Sequence, residues 1–419
     1  MHKSLSYLEK SYAFRIYIYF YLASAMGLAA VLFVPTDSSG SEPGSSLSFI
    51  LCWIVLYAIS ILYLLKLPKP ITKSNLGILA IPLYFIISTI WSLSPSKTAT
   101  YSSCLLLNTI FAVTLTRWAK PEALFKIILN TNILLISAGL LFYLAGSDLV
   151  IYHDIHEREN ILGSTPIRGF YNHKITAGYY AGLSFFIAII LLDGLKRFAT
   201  CSLLLFFILL TGSSSALSLI PIGFLLLATL LYLGKLRASR GFIILVFGLI
   251  PLSIIIAAIN LYEPVLTALG RDTTLTGRTL LWGWGIETAL QRPLLGWGYV
   301  GYNGSELAQI KALSFKEFEN YQVPHFHNSY IQYLVDFGTV IGSTIILLYF
   351  FTAIFFAKHY ARSKSKSALL ISFSIFWIMF SGFFVHTMGR YNDLSMIIFM
   401  YSLGLMLKEK KNRSLAYAY

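Results

Sequence analysis

The sequence predicts an all-α integral membrane protein with about twelve transmembrane helices, and three observations predict it. Apolar residues make up 57% of the chain and charged residues only 12%, with a mean hydropathy of +0.71, far from the balance of a soluble globular domain. Apolar runs of about 20 residues, the length of a helix crossing about 30 Å of hydrocarbon, recur along almost the whole chain. Lys and Arg collect in alternate connections between these runs, as the positive-inside rule requires.

The first run, 14–34, begins beside Lys3, Lys10 and Arg15. Its apolar stretch continues past Ala23, Ser24 and Ala25 to Val34, which favours an uncleaved helix over a signal peptide. The second run, 47–67, and the third, 75–93, flank Lys66, Lys69 and Lys73. The fourth, 101–118, and the fifth, 123–145, flank Arg117, Lys120 and Lys126. Lys196 and Arg197 separate the sixth, 175–193, from the seventh, 198–212. The seventh shares one apolar stretch with the eighth, 216–233, broken only by Gly212 and Ser213 to Ser215. Two helices are required there, because a single long span would break the charge alternation downstream. Lys235, Arg237 and Arg240 precede the ninth, 241–261. Lys358, Arg362, Lys364 and Lys366 separate the tenth, 330–357, from the eleventh, 368–386, and the twelfth, 391–407, runs into Lys408, Lys410, Lys411 and Arg413.

On this count 22 of the 32 Lys and Arg lie on the side of both termini, while 14 of the 18 acidic residues lie on the other. Both termini are therefore expected in the cytoplasm. The formal charge of +14 is topogenic, and no basic face is left over for a nucleic-acid partner. The expected organisation is one polytopic membrane domain, 1–419, with a sizeable external insertion at 262–329 and a smaller external loop at 146–174. No two-half internal repeat of the kind common in transporters is visible. Cys52, Cys104 and Cys201 fall inside spans and read as apolar packing.

Within the insertion, LTGRTLLWGWGIETALQR reads as a helix, with Thr276 as N-cap and Leu281, Trp282, Ile286, Ala289 and Leu290 recurring at three- to four-residue spacing, ended by Pro293. The following GWGYVG, 296–301, has the glycine spacing of a dinucleotide fingerprint. That reading needs a preceding strand and a following helix whose N-terminus holds the pyrophosphate. Here a helix and a proline turn precede it, so the expectation is a glycine and aromatic loop at the membrane surface.

The external polar residues are of a kind that handles anions and protons. Arg271, Arg278, Arg292, His325 and His327 lie in the insertion, and Arg168, His173 and Lys174 in the smaller loop. Arginines on an outer loop run against the positive-inside tendency. Bidentate binding of a phosphate is one reason to hold them there, and snorkelling to lipid phosphates or helix capping is the other. PHFHNSY, 324–330, opens the tenth span with two histidines and Asn328. A His-x-His pair can ligate a metal, but no Cys, Asp or Glu stands at a confirming spacing. A neutral imidazole with a reference pKa of about 6.5 is better suited to take a proton from a hydroxyl.

LTGRT (275–279) with Trp282, RPLLGWG (292–298) and HFHNSYIQYLVDFGTVIG (325–342) resemble the signature region of the O-antigen ligase and polymerase superfamily of bacterial envelope enzymes. GFYNHKITAG (169–178) is similar to a Gly-x-x-x-His-Lys-Asn stretch of its exopolysaccharide-polymerase branch. The resemblance implies a GT-C-type, inverting, metal-independent glycosyltransferase of the bacterial inner membrane, without a cofactor and with its active site facing the periplasm in the loop between the ninth and tenth spans. The implied partners are a glycan donor on undecaprenyl diphosphate, an acceptor glycan (lipid A core or a growing polymer chain), the lipid bilayer and other polysaccharide-assembly membrane proteins. By motif match Arg278 takes the diphosphate-binding role and His327 that of the essential histidine, with Arg271, Arg168, Lys174, His325, Asn328 and Arg292 as substrate-binding candidates. Relatives often carry Ser-Arg between the seventh and eighth spans where this chain has GSSSAL, and Lys174 or Arg168 would substitute.

Two other function classes compete. The external Glu287, Glu306, Glu317 and Glu319 could supply a glycosidase pair, although nothing marks two of them as held at the required separation. A twelve-span transporter or flippase of lipid-linked sugars is the alternative reading; it predicts charges near mid-bilayer, where these spans carry almost none.

Overall fold

The computed structural model describes residues 12–34, 46–66, 73–153, 159–249, 278–315 and 323–416, and these are helical with no strand among them; a single bridge pairs Ile151 with Ile167. In chain order the helices are α1 (Tyr12–Met26), α2 (Leu28–Phe33), α3 (Leu47–Leu65), α4 (Lys73–Ile87), a 3₁₀ turn (Ser88–Trp91), α5 (Pro95–Trp118), α6 (Pro121–Leu144), α7 (Lys174–Leu191), α8 (Gly194–Thr211), α9 (Ser214–Lys235), α10 (Arg240–Leu249), α11 (Arg278–Gln291), α12 (Glu306–Leu313), α13 (Ser329–Ser363), α14 (Lys366–Ser381) and α15 (Leu394–Ala416). Seven of them, α3, α5, α6, α7, α8, α9 and α13, are long and apolar enough to cross a membrane, and four shorter apolar helices lie among the remaining runs. The chain is thus a multi-pass membrane protein.

The helix boundaries follow local chemistry. Gly27, at φ +130°, separates α1 from α2; a Cβ there would lie 2.7 Å from the Asn172 backbone nitrogen. The long apolar stretch after Arg197 breaks at Gly212, which ends α8 in the left-handed conformation, so two helices form where the charge pattern required two. Side-chain caps open three of the helices. His173 accepts from the Ile175 N–H ahead of α7, Ser305 from Ala308 ahead of α12, and Asn328 from Tyr330 and Ile331 ahead of α13.

Three sequence boundaries are corrected. The eleventh run does not reach 386 as helix, because α14 ends at Ser381 and α15 begins only at Leu394. The tenth run continues to Ser363 and is kinked at Gly338. The first is interrupted at Gly27.

The chain divides into two compact units, one of residues 1–81, 104–227 and 390–419, the other of residues 82–103 and 228–389. In the first, Tyr21 stacks on Phe111 at 3.6 Å and its hydroxyl donates to Asn108, while Asn132 donates to the Ser184 hydroxyl at 2.6 Å. Such pairing is required of buried polar groups in helices that face lipid. In the second unit α13 packs on α14 and on α11.

The α13 kink explains GWGYVG. Gly338 has φ +72° and ψ 178°, a region open essentially to glycine alone, and it stops the helical ladder. The Val335 and Asp336 carbonyls, cut off from their usual acceptor role, accept instead from the Trp297 and Gly298 N–H groups at 2.9 and 3.0 Å. The Thr339 N–H donates to the Pro293 carbonyl at 2.6 Å. A broken helix at membrane depth survives only when its backbone is satisfied by protein in this way. The glycines permit the approach, since a Cβ at Gly296 would lie 2.5 Å from the Asp336 backbone and one at Gly298 2.9 Å from the Ser92 Cα. The segment is a backbone splice between α13 and residues 88–98, where Tyr299 N–H donates to Ser88 and Thr98 donates to the Tyr299 carbonyl.

Gly338→Ala is expected to be the most damaging single methyl in this unit. Its Cβ would lie 2.6 Å from the Leu294 backbone, adding an overlap worth about 1–3 kcal/mol to a conformational cost of about 1–3 kcal/mol. Immunoblots of membrane fractions should show the variant strongly depleted; wild-type amounts would contradict the kink.

Candidate active site

Phe326 is the pivot of the histidine segment. It is fully buried, packs edge-on against Trp284 of α11 at 5.4 Å and stacks on Tyr302, within a cluster that includes Leu281, Trp297 and Val335. Gly285 lets α11 approach this closely, since a Cβ there would lie 2.5 Å from Ile331 and 3.0 Å from Phe326. With Phe326 fixed, the flanking His325 and His327 stay half-buried, their rings 4.3 Å apart and edge to face. His327 adopts a left-handed backbone at φ +52°, and its N–H donates to His325 Nδ1 at 3.2 Å. A neutral His325 therefore carries its proton on Nε2.

A third histidine joins them. His386, counted inside a span by the sequence reading, lies in the irregular segment between α14 and α15 with its ring 5.1 Å from that of His325. Ser329 holds it there. The Ser329 hydroxyl accepts from the Thr387 and Met388 N–H groups at 2.9 and 3.1 Å, and the Ser329 N–H donates to the Gly382 carbonyl. Among the described residues no three His, Cys, Asp or Glu side chains are grouped so as to hold a metal ion.

Arg278 opens α11 and is half-buried; burial holds its guanidinium below the usual value, which for arginine leaves it charged at neutral pH. Arg292, at the other end of the same helix, is exposed, stacks on the Trp297 ring at 4.0 Å and reaches the Trp91 carbonyl at 3.5 Å. Its geometry is that of a cation–π clamp on the splice. Asn328 is buried and its side-chain oxygen caps α13 through Tyr330 and Ile331, which accounts for it structurally. Arg271, Thr276, Glu317 and Glu319 lie outside the described residues. Glu287 pairs with Lys311 at 3.7 Å.

Arg168 and Lys174 belong to the other unit. Arg168 donates through Nε and Nη2 to the Leu149 carbonyl, and burial lowers its pKa. His173 accepts from Ile175 through Nδ1, so its Nε2, 2.8 Å from the Tyr152 hydroxyl, is the protonated nitrogen of a neutral ring. The Lys174 ammonium lies 5.0 Å from the centre of the Tyr152 ring. Tyr152 is a partner the sequence reading did not name. The sequence candidates thus divide between the units, with Arg278, Arg292, His325, His327 and Asn328 in one and Arg168 and Lys174 in the other.

Residues 199–346 match the family model described as O-Antigen ligase, a stretch that includes Arg278, the GWGYVG splice, both site histidines and Gly338. The exopolysaccharide production protein ExoQ of Rhizobium meliloti (strain 1021) is 27% identical over 303 residues, 67% of this chain and 65% of that protein. The chain therefore spans just under two thirds of the relative it matches. The chain is a multi-pass helical membrane protein that is similar to the O-antigen ligase family over the stretch that carries Arg278, His325 and His327.

Proposed function

We propose that the protein is a membrane glycosyltransferase of surface polysaccharide assembly, moving a glycan from undecaprenyl diphosphate to a sugar hydroxyl on the outer face of the inner membrane. The observation that carries this reading is the histidine segment itself. Two half-buried imidazoles flank a fully buried Phe326, and α11, the helix that carries Arg278, packs on that same residue. The match of residues 199–346 to the O-Antigen ligase model supports the reaction class.

The division of labour follows from the chemistry. Polyprenyl diphosphate is already a good leaving group, so the principal need is to neutralise charge as the glycosidic bond breaks. A fixed cation aimed at the leaving phosphates neutralises that charge, and this role is assigned to Arg278. His327 takes the proton of the acceptor hydroxyl on the opposite face, giving inversion by single displacement. His325 orients the acceptor, and Arg271 contributes to holding the anionic donor. The reaction is metal-independent, and both termini are cytoplasmic with twelve spans between them.

A deletion strain tests the reading. Its lipid-linked glycans, extracted and resolved by mass spectrometry, should accumulate at the expense of surface polymer. Single repeats on the carrier identify a polymerase, and full-length polymer on the carrier identifies a ligase. Unchanged lipid-linked glycans and normal polymer would remove the proposal.

A further inference from the structure

Asp336 is a carboxyl group buried to 2% exposure inside a helix otherwise fit to cross a membrane, and ionisable groups there are costly unless they do something. Its partners form a chain that ends at the histidine segment. The Gln332 amide nitrogen donates to Asp336 at 3.0 Å and to the Asn303 side-chain oxygen at 2.9 Å, and the Gln332 oxygen accepts from the Phe326 N–H at 3.2 Å. The Val300 N–H, in the GWGYVG splice, also donates to Asp336.

The polarity of this chain is set by backbone groups that cannot turn round. The Phe326 N–H is a donor, so the Gln332 oxygen must face it and the Gln332 nitrogen must face Asp336. The Val300 N–H is a donor, so the carboxyl oxygen beside it must accept. Asn303 donates to the Val323 carbonyl at 3.4 Å, which turns its oxygen towards Gln332. Position 336 thus receives two donors, the Gln332 amide and the Val300 N–H, and its carboxyl fixes the amide that fixes Phe326.

We infer that Asp336 and Gln332 are a positioning pair that sets the placement of His325 and His327 by holding the Phe326 backbone between them. The inference rests on the proposed function for its readout. Asp336→Asn, although isosteric, introduces an N–H donor among the donors that face position 336, and where that donor meets Gln332 the amide turns its nitrogen to the Phe326 N–H. Gln332→Glu places two carboxyl groups face to face. Combined, the two substitutions restore every donor to an acceptor along the Val300–336–332–Phe326 path, with unchanged net charge.

The test uses the full-length protein in membrane vesicles, with lipid-diphosphate-linked oligosaccharide extracted from the parent cells as donor. Asp336→Asn and Gln332→Glu are each expected to lower kcat by roughly 10- to 100-fold with KM for that donor nearly unchanged, the effect of a displacement of about 1 Å at a reacting group. The double variant should recover most of the loss, which a merely destabilised protein would not do. Asn303→Ala, which removes one acceptor of Gln332 without touching α13, should give a smaller loss in the same parameter and serves where a single variant fails to accumulate. Wild-type kcat in Asp336→Asn, or a double variant no better than the weaker single, would overturn the pair. His327→Asn is measured alongside. If it loses turnover while the pair variants do not, the positioning role alone fails; if it turns over normally, the proposed function fails first.

Discussion

His327→Asn should leave the protein folded in the membrane and donor binding intact while turnover falls by roughly 10²–10⁴-fold, the contribution of a positioned general base. The substitution suits the backbone. Position 327 has φ +52°, and Asn is among the few residues that adopt the left-handed region readily, so a loss cannot be assigned to strain. The amide keeps hydrogen-bonding capacity but takes no proton. In the native protein activity should fall on acidification, because only the neutral imidazole accepts a proton. The residual activity of the variant should lack this acidic limb. His325→Asn should cost less, since His325 orients rather than deprotonates. Activity should persist in EDTA. Should EDTA abolish activity and zinc restore it, the histidines would be serving a metal and the base assignment would be wrong.

The parts of this molecule legible in its sequence are those governed by neighbours in the chain. The break at Gly212 was visible because a left-handed C-cap favours glycine and the charges on either side demanded two helices. Helix α11 was visible from its apolar spacing and Pro293. The kink at Gly338 was not, because the run from 330 to 357 is apolar on both sides of it and the groups that satisfy its broken ladder come from Pro293, Trp297 and Gly298, some forty residues upstream. The same distance hid the role of GWGYVG: its glycine spacing suggested a ligand loop, whereas the close backbone it admits is that of Asp336.

The site divides in the same manner. Arg278 and His327 are proposed through motif resemblance, while Asp336 and Gln332 were absorbed into a span. His386 was lost because the FFV that precedes it prolongs an apolar run that the structure ends at Ser381. A signal was present in TMGRYND, too polar for the four-residue connection that two adjoining spans at 386 and 391 would leave. Asn328 and Arg292 show the converse. Their residue types suit a substrate, yet a helix cap and an aromatic ring account for their placement.

Arg278 separates charge from shape. If its planar fork grips two oxygens of a diphosphate, Arg278→Lys retains the charge but loses one of two parallel hydrogen bonds, about 1.5 kcal/mol for a bond to a charged group and therefore about tenfold in rate. Arg278→Ala removes the cation altogether and should cost roughly 10²–10³ in kcat, as the loss of one preorganised donor at a developing anion does. Burial sharpens the contrast, because a site that already lowers the guanidinium pKa is partly desolvated, and an ammonium, more strongly hydrated than a guanidinium, is harder to accommodate there. Arg292, exposed on the Trp297 ring, is the matched control at the other end of the helix: its Ala variant should lose some stability and little turnover. Rates are read as diphosphate-carrier release from the lipid-linked donor in vesicles holding equal amounts of each variant. Equal activity of Lys and wild type would mean that a point charge suffices, and full activity of the Ala variant would return Arg278 to snorkelling at the membrane rim and leave the leaving group without its cation on α11.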